Sequence, residues 1–363
     1  MSSVVFPIHA EELTPELLTA ALAERHPDAR VESLRIVDQA HCKSGSASTA
    51  ARAVLDLDYA AGVDSGLPSR LILKTVLIRP GSIPDLYENE VRFYREIRHE
   101  LDLETPRAYA SNFDPASGRF GVLMEDVTLR SARFPNATES LERGAVTSLL
   151  DGLATLHARY WRSPRFERDL AALWTPCSGG FHDFLQVHGL EVIRRQVQRS
   201  EYKQALLERL GRSLEDVWDV LWKAQAILAS EPSTLLHGDT HMGNTYLLPD
   251  GRAGLVDWQL MNRGRWAHDI TYLLVTGLDV EVRRRDEREL LAYYLTRLHK
   301  GGVADVPTPE DAWLLYRQTA IWGFLLGWFI CPLENYGEAI LRANLDRLTT
   351  ALEDLESFRA IAD

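Results

Sequence analysis

Cysteine is scarce in this sequence, and the few cysteines are poorly placed for a structural role. Only three occur in 363 residues, at positions 42, 177 and 331, and no C-x-x-C spacing is present. Because disulfide frameworks and zinc ribbons need paired or closely spaced cysteines, we exclude both and expect a reducing compartment. The first residues, MSSVVFPIHAEEL, contain no basic start followed by a long apolar run. We therefore predict that no signal peptide is present and that the protein is cytoplasmic.

Long apolar runs and an excess of basic residues are also lacking. The most apolar stretch, from Thr319 to Leu333, has about fifteen residues, fewer than the ~18 of a membrane span, so we predict a buried helix and no membrane insertion. Lysine and arginine number 40 against 52 aspartates and glutamates, which gives a net charge of −12. This balance argues against a nucleic-acid partner, but it allows an anionic ligand where Mg²⁺ or a few lysines supply positive charge.

The common glycine-rich nucleotide motifs are missing too, since neither G-x-x-x-x-G-K-[ST] nor G-x-G-x-x-G occurs. A segment of small residues, CKSGSAST, precedes the first clear strand pattern. Backbone N–H groups in such a turn can bind phosphate oxygens. We therefore predict that Ser44, Gly45 and Ser46 contact a nucleotide.

The remaining patterns divide the chain into a strand-rich first third and a helix-rich remainder. TAARAVLDLDYA, RLILKTVL and RFGVLMEDV predict strands, of which the first two are expected to pair antiparallel. From ESLERGAVTSLLDGLATLHARYW onward most segments are helical, except that TYLL and AGLV flank a turn and predict a hairpin. We predict an α+β fold with two lobes, an N-terminal antiparallel sheet lobe over residues 1–127 and a larger helical lobe over residues 128–363.

The most informative segment is HGDTHMGNTYLL, followed by GLVDWQ. Phosphoryl transfer needs a carboxylate beside the attacking hydroxyl and oxygen ligands for Mg²⁺, and kinases supply them as an Asp-x-x-x-x-Asn loop followed by a strand-borne Asp. Asp239 would then accept the hydroxyl proton, while Asn244 and Asp257 would hold Mg²⁺. An alternative is a zinc or hydrolytic metal centre, because histidines and aspartates cluster at 237, 239, 241, 268 and 269. Two glycines and the lack of an apolar run favour a loop instead.

Lys74 interrupts the apolar strand LILKTV. A buried lysine is costly without an anion, so we predict an ion pair with Glu90 on the next helix, which would align nucleotide phosphates. Glu88 is the competing partner, and an edge-strand lysine that points to solvent is the alternative.

At these residues the sequence resembles the aminoglycoside phosphotransferase and choline kinase superfamily, and it looks closest to the ecdysteroid-kinase-like branch. The pattern H-G-D-x-H-x-G-N over 237–244 is similar to that family's catalytic loop, and D-W-Q at 257–259 stands where protein kinases carry D-F-G. The resemblance implies a protein-kinase-like fold and a nucleotide hinge over 122–127, where Met124, Glu125 and Val127 would bind adenine. It also implies a bracing role for Asp269, and we expect His237 and His241 to support the same loop.

Together these features predict an ATP- and Mg²⁺-dependent kinase that phosphorylates a hydroxyl group of a small molecule. The C-terminal third is aromatic, and such rings are either core or the wall of an acceptor pocket. The sequence there offers few acids for a polycationic aminoglycoside, only Glu334 and Glu338 in PLENYGEAI, and the resemblance implies a lipophilic or metabolic alcohol. An aminoglycoside-type phosphotransferase is the alternative acceptor class, and a non-catalytic nucleotide-binding protein of the same fold is a further alternative. The oligomeric state is not readable from the sequence.

Overall fold

The chain divides into two compact units by its internal contacts. Unit 1 comprises Met1–Glu100 and Thr105–Ala132, and unit 2 comprises Leu101–Glu104 and Arg133–Asp363. The structure, a computed structural model, describes residues 4–40, 50–61, 66–76 and 83–362. The boundary that we placed after residue 127 stays a prediction.

The described part of unit 1 contains an antiparallel sheet of five strands, which are β1 Val31–Ala40, β2 Ala50–Tyr59, β3 Arg70–Val76, β4 Ala108–Asp114 and β5 Arg119–Glu125. Their order in the sheet is β1-β2-β3-β5-β4. Inward and outward residues alternate along β2, as expected for a sheet with one face on a core. The antiparallel pairing that the sequence predicts between TAARAVLDLDYA and RLILKTVL is confirmed as the pair of β2 and β3.

Among the described residues of unit 1, two segments are α-helical. Helix α1 spans Pro15–Leu22 and begins where the Thr14 side chain accepts a hydrogen bond from the Leu17 N–H, with proline at the first helical position. Helix α2 spans Pro84–Arg92 and continues as a π-helical turn over Phe93–Ile97. Its inner side buries Leu86, Tyr87, Asn89, Glu90 and Val91.

Helices make up most of unit 2. The predicted buried helix at the aromatic stretch is confirmed as the end of α10 and a π-helical segment, Gly323–Phe329, most of whose residues are buried. No helix in the described ranges is long and apolar enough to cross a membrane. The helices are α3 Arg143–Tyr160, α4 Gly180–Phe184, α5 Leu190–Gln198, α6 Glu201–Leu210, α7 Leu214–Leu228, α8 Ala267–Gly277, α9 Val280–Lys300, α10 Pro309–Trp322, α11 Glu338–Asp354 and α12 Ser357–Ala362.

Two short antiparallel pairs interrupt these helices. Strands β7 (Thr245–Leu247) and β8 (Ala253–Leu255) form the hairpin that the sequence predicts. Strand β6 (Thr234–Leu236) pairs with β9 (Asn262–Gly264). The segment between β6 and β7 and the segment between β8 and β9 are therefore anchored at both ends.

Candidate functional site

The segment between β6 and β7 is a loop that ends in a 3-10 turn over Met242–Asn244. Its backbone requires glycine at position 238, where φ is +85°. A Cβ at that position would also collide with the carbonyl oxygen of Leu260. The loop and the return segment after β8 thus touch backbone to backbone, which fixes the position of the next residue, Asp239.

Asp269 holds this loop from the first turn of α8, a helix whose residues are all buried. Its Oδ2 accepts the His237 N–H at 2.8 Å, and its Oδ1 accepts the Gly238 N–H at 2.9 Å. Burial favours the neutral acid, but the hydrogen bond from His157 and the surrounding histidines outweigh it and hold the pKa of Asp269 below its usual value. These contacts are the ones that a bracing residue would make.

His157 and Tyr294 extend the brace, and the sequence analysis did not identify either of them. His157 Nε2 lies 3.1 Å from Asp269 Oδ2, and its Nδ1 lies 2.7 Å from the Tyr294 hydroxyl. Because the carboxylate can only accept, Nε2 carries the proton and Nδ1 accepts from the tyrosine. Both side chains are fully buried. The sequence signal that could have identified His157 was its position as a polar residue on the apolar stripe of α3, in LATLHARYW.

Asp239 and Asn244 are joined within the loop. The Asn244 side-chain amide donates to the Asp239 backbone carbonyl at 2.9 Å and to Asp239 Oδ2 at 3.0 Å. The Asp239 side chain keeps 16% of its surface exposed, so a substrate can reach it. Because the side-chain nitrogen of Asn244 donates to Asp239, the side-chain oxygen of Asn244 is the atom that could bind a cation.

The two loop histidines are neutral and fixed in orientation. Burial lowers the pKa of His237 and lowers that of His241 to about 4. His237 Nδ1 accepts the Asp239 N–H and its Nε2 donates to the Val256 carbonyl; His241 Nδ1 accepts the Gly243 N–H. The proton of His241 is therefore on Nε2, which lies 3.8 Å from Asp239 Oδ2.

Asp257 lies two residues after the end of β8, and the residue between them, Val256, is hydrogen-bonded to the loop. The Val256 N–H donates to the Asn244 carbonyl at 2.9 Å. Asp257 itself has φ 68° and ψ 72°, in the left-handed region, which aspartate adopts more readily than most residues other than glycine. Its backbone conformation is one observation that motivates the hypothesis of a functional role.

The two predicted metal ligands, Asn244 and Asp257, suit Mg²⁺ better than zinc by their chemistry. An amide oxygen and a carboxylate are hard ligands, and Mg²⁺ in nucleotide sites often takes one or two protein groups and completes its shell with phosphates and water. Within the ranges that the structure describes, no three His, Cys, Asp or Glu side chains come together as a metal site. Residues 237–241 also form a loop, as their glycine and the lack of an apolar run predict.

Lys74 and Glu90 form the predicted ion pair inside unit 1. Lys74 Nζ lies 2.6 Å from Glu90 Oε2, and the two side chains are 4% and 1% exposed. The competing residue, Glu88, faces Arg92 at 3.4 Å and is about half exposed. The interpretation of Lys74 as a solvent-facing edge lysine is therefore wrong, because β3 lies inside the sheet between β2 and β5.

Two of the three predicted hinge residues, Met124 and Glu125, lie at the end of β5, which pairs with β3. Leu71 and Ile72 of β3 pair with Glu125 and Met124, respectively. The Glu125 carboxylate accepts from Arg130 and from the Arg107 N–H, and Val127 opens a short 3-10 turn. Their contact with adenine stays a prediction. Ser44, Gly45 and Ser46 lie outside the described residues.

The aromatic residues of the C-terminal third are largely core, and some approach the loop. Trp322, Phe324, Trp328 and Phe329 are buried, whereas Tyr336 is partly exposed. The Trp328 ring packs edge-on against His241, with centroids 5.2 Å apart. Burial and then the charges of neighbouring groups, Asp239 and Asp257 among them, raise the pKa of Tyr336.

Comparison with known proteins supplies a family and a fold. Residues 51–314 match the sequence profile of the phosphotransferase enzyme family, whereas no functionally curated protein matches the chain. A solved choline kinase from Cryptosporidium parvum Iowa II is 10% identical, with a TM-score of 0.53 over 90% of this chain and 91% of that one. A Plasmodium vivax ethanolamine kinase is 11% identical, with a TM-score of 0.53 over 90% of this chain and 84% of that one. The predicted α+β, bilobal kinase-like architecture is confirmed by these similarities.

Proposed function

Because the chain belongs to the phosphotransferase enzyme family, we propose that it transfers the γ-phosphate of ATP, in the presence of Mg²⁺, to a hydroxyl group of a small molecule. The superfamily that the sequence resembles is thus the right one, and the ecdysteroid-kinase-like branch stays a prediction. One observation supports the proposal best: Asp239 is hydrogen-bonded to Asn244 in a loop whose backbone Asp269 holds.

In this mechanism Asp239 accepts the proton of the attacking hydroxyl. A positioned carboxylate is effective here because phosphoryl transfer depends mainly on orientation and charge. Asn244 holds the Asp239 side chain through Oδ2. The neutral His241 ring, which carries its proton on the nitrogen facing Asp239, adds no charge that would weaken the base.

Asn244 and Asp257 would hold Mg²⁺, which when bound supplies positive charge to the nucleotide phosphates. The left-handed backbone at Asp257 and the hydrogen bond between its neighbour Val256 and Asn244 support this assignment. Lys74 would contact the nucleotide phosphates, with Glu90 fixing the direction of its ammonium group. Met124, Glu125 and Val127 would bind the adenine.

The proposed acceptor is a lipophilic or metabolic alcohol. A polycationic aminoglycoside would need several acidic side chains around Asp239. The C-terminal segment supplies only two acids, and one of them, Glu338, is already paired with Arg342 at 2.7 Å. The aminoglycoside-type acceptor is therefore the second candidate. A kinase without activity, acting only as a nucleotide binder, would lack a reason to keep the Asp239 to Asn244 geometry.

The substitution Asp239→Asn tests the proposal. We expect kcat to fall by about 10²- to 10⁴-fold, the usual contribution of a general base, while ATP affinity stays near the wild-type value. ADP release would be measured with Mg²⁺ across neutral, quaternary ammonium, sugar and aminoglycoside alcohols, and ATP binding by calorimetry. Asp250→Asn, in the exposed turn of the β7–β8 hairpin, is the matched control. Near-wild-type turnover by Asp239→Asn would exclude the role of Asp239, and no ADP with any alcohol would favour the non-catalytic alternative.

A further inference from the structure

A narrow pocket in unit 2 opens beside Gly238, the residue that precedes Asp239. It contains about 440 Å³ of empty space with its mouth included. Its aromatic walls favour a flat apolar group, because aromatic rings pack against one another face to face or edge to face. Its main side-chain walls are Trp174, Phe181, His182, Leu185, His268 and Trp322.

The pocket is uncharged. Its lining within the described chain contains no aspartate, glutamate, lysine or arginine. Burial lowers the pKa of His268, whose Nε2 donates to the Gly238 carbonyl at 2.9 Å. The Gln225 amide donates to the Pro176 carbonyl at 2.9 Å and so braces the wall. An amine that entered this slot would lose part of its water shell without meeting a carboxylate among the lining residues, because the neighbouring Asp183 lies outside the lining and pairs with His182 at 2.9 Å.

The mouth of the pocket is aromatic and incompletely covered. His182 packs edge-on against Trp222, with centroids 5.4 Å apart, and Trp222 packs against Trp218 at 5.5 Å. These side chains and Phe181 are only partly buried. Partly exposed aromatic side chains beside a pocket are typical of a binding site for an apolar ligand.

One side chain, Trp322, links the pocket to the surroundings of Asp239. Its ring packs against His268 at 4.5 Å and against Tyr272 at 5.3 Å between centroids. Tyr272 in turn contacts the ring of His241 at 5.9 Å, and the charge of Asp239 adds to burial in raising the pKa of Tyr272. A ligand in the slot would therefore lie beside the loop that carries Asp239.

We propose that this pocket binds the flat apolar part of an uncharged, ring-bearing acceptor alcohol. The inference rests on the proposed phosphotransferase function, because that reaction defines the acceptor. The inference limits the acceptor to an uncharged alcohol with a flat ring. It also identifies Phe181 as the residue that selects such an acceptor. Phe181 is the substitution of choice, because its side chain lines the slot, is partly exposed and lies in a five-residue helix at the surface.

Binding is tested without turnover, by following the fluorescence of the tryptophans as the wild-type protein is titrated with 2-phenylethanol, choline and kanamycin at constant ionic strength. We expect 2-phenylethanol to bind at least tenfold more tightly than either cation. Phe181→Ala should weaken its binding by about tenfold, the size expected for one aromatic contact. Val187→Ala, an exposed position of the same segment that does not line the pocket, is the control and should bind as the wild type does.

A second variant tests the charge argument directly. Ser178 lines the mouth, is exposed, and accepts the Thr175 N–H through its hydroxyl. In Ser178→Asp a carboxylate can accept the same bond, and we expect choline to gain affinity relative to 2-phenylethanol by several-fold. The proposal is overturned if choline or kanamycin binds the wild type better, if 2-phenylethanol does not bind, or if Phe181→Ala leaves its affinity unchanged. If 2-phenylethanol binds as expected but no alcohol yields ADP, the phosphotransferase proposal fails and the pocket assignment stands.

Discussion

At the scale of single residues, Lys74 and Glu90 show how strongly a buried ion pair depends on both partners. Removing charged groups from water costs several kcal/mol per ion, and the attraction between them offsets that cost only while both are present. Their side chains are almost fully buried, and Lys74 Nζ lies 2.6 Å from Glu90 Oε2. By contrast, Glu88 and Arg92 on the same helix remain in contact with water.

Replacing Lys74 alone should therefore lower the stability of the protein. We expect Lys74→Met to reduce the free energy of unfolding by about 3 kcal/mol, because it leaves Glu90 charged and buried. The double variant Lys74→Met with Glu90→Leu should regain most of that loss and still lack activity. Urea denaturation measures the first effect, and ADP release measures the second.

Glu88→Gln is the matched control, since exposed ion pairs contribute about 0–1 kcal/mol. Equal losses of stability in Glu88→Gln and Lys74→Met would contradict the assignment of Glu90 as the partner. The sequence alone predicted this pair because a lysine within an apolar strand demands an anion. It favoured Glu90 over Glu88, and the packing of α2, on which the two residues differ by half a turn, confirms that choice.

At the scale of elements, three helices hold one loop. Tyr294 of α9, His157 of α3 and Asp269 of α8 form a chain of hydrogen bonds that ends on the N–H groups of His237 and Gly238. All three side chains are excluded from water, where such bonds are strong and a missing partner is costly. The loop geometry is therefore set by the packing of helices far from it in sequence.

Asp269→Asn tests this dependence. Asparagine has one acceptor oxygen in place of two, so one loop N–H would face an amide N–H group. We expect kcat to fall by at least tenfold while the KM for ATP changes little, because the substitution displaces Asp239 and leaves Lys74 in place. Steady-state kinetics measure this, with Tyr294→Phe as a milder variant that removes only the outermost bond. An unchanged kcat in Asp269→Asn would show that the loop does not need the brace.

The sequence identified Asp269 through its resemblance to a family motif, but it missed His157 and Tyr294. The reason is distance along the chain: His157 lies 112 residues from Asp269 and 137 from Tyr294. Periodicity places a residue on one face of a helix, and it does not say which helix that face meets. The β7–β8 hairpin, whose partners are neighbours in sequence, was predicted correctly for the opposite reason.

At the scale of the whole molecule, several histidines are buried in the neutral form. Burial lowers the pKa of His237, His241 and His268. An unfolded chain would take up protons at an ordinary histidine pKa near 6.5. As the pH falls below that value, the unfolded state binds protons that the folded state does not, so folding stability decreases.

We therefore expect the free energy of unfolding to fall between pH 6.5 and about 4, the range set by His241. The slope is at most about 1.4 kcal/mol per pH unit for each histidine. His268→Gln should reduce this slope, because the amide can still donate to the Gly238 carbonyl but does not titrate. Urea denaturation at pH 7.5, 6.0 and 5.0 measures it, and the exposed His99→Gln is the control. A slope that is equal in wild type and His268→Gln would rule out the contribution of His268.

The close approach of Gly238 to Leu260 has a consequence for how this protein could adapt to other substrates. The backbone around Asp239 is held by Asp269, by His268 and by direct contact with the Leu260 carbonyl, so it has no spare space to reshape. The pocket walls between 174 and 185 carry side chains that are largely half-exposed. Laboratory selection for a new alcohol should then accumulate changes in those walls, around a catalytic loop that stays invariant.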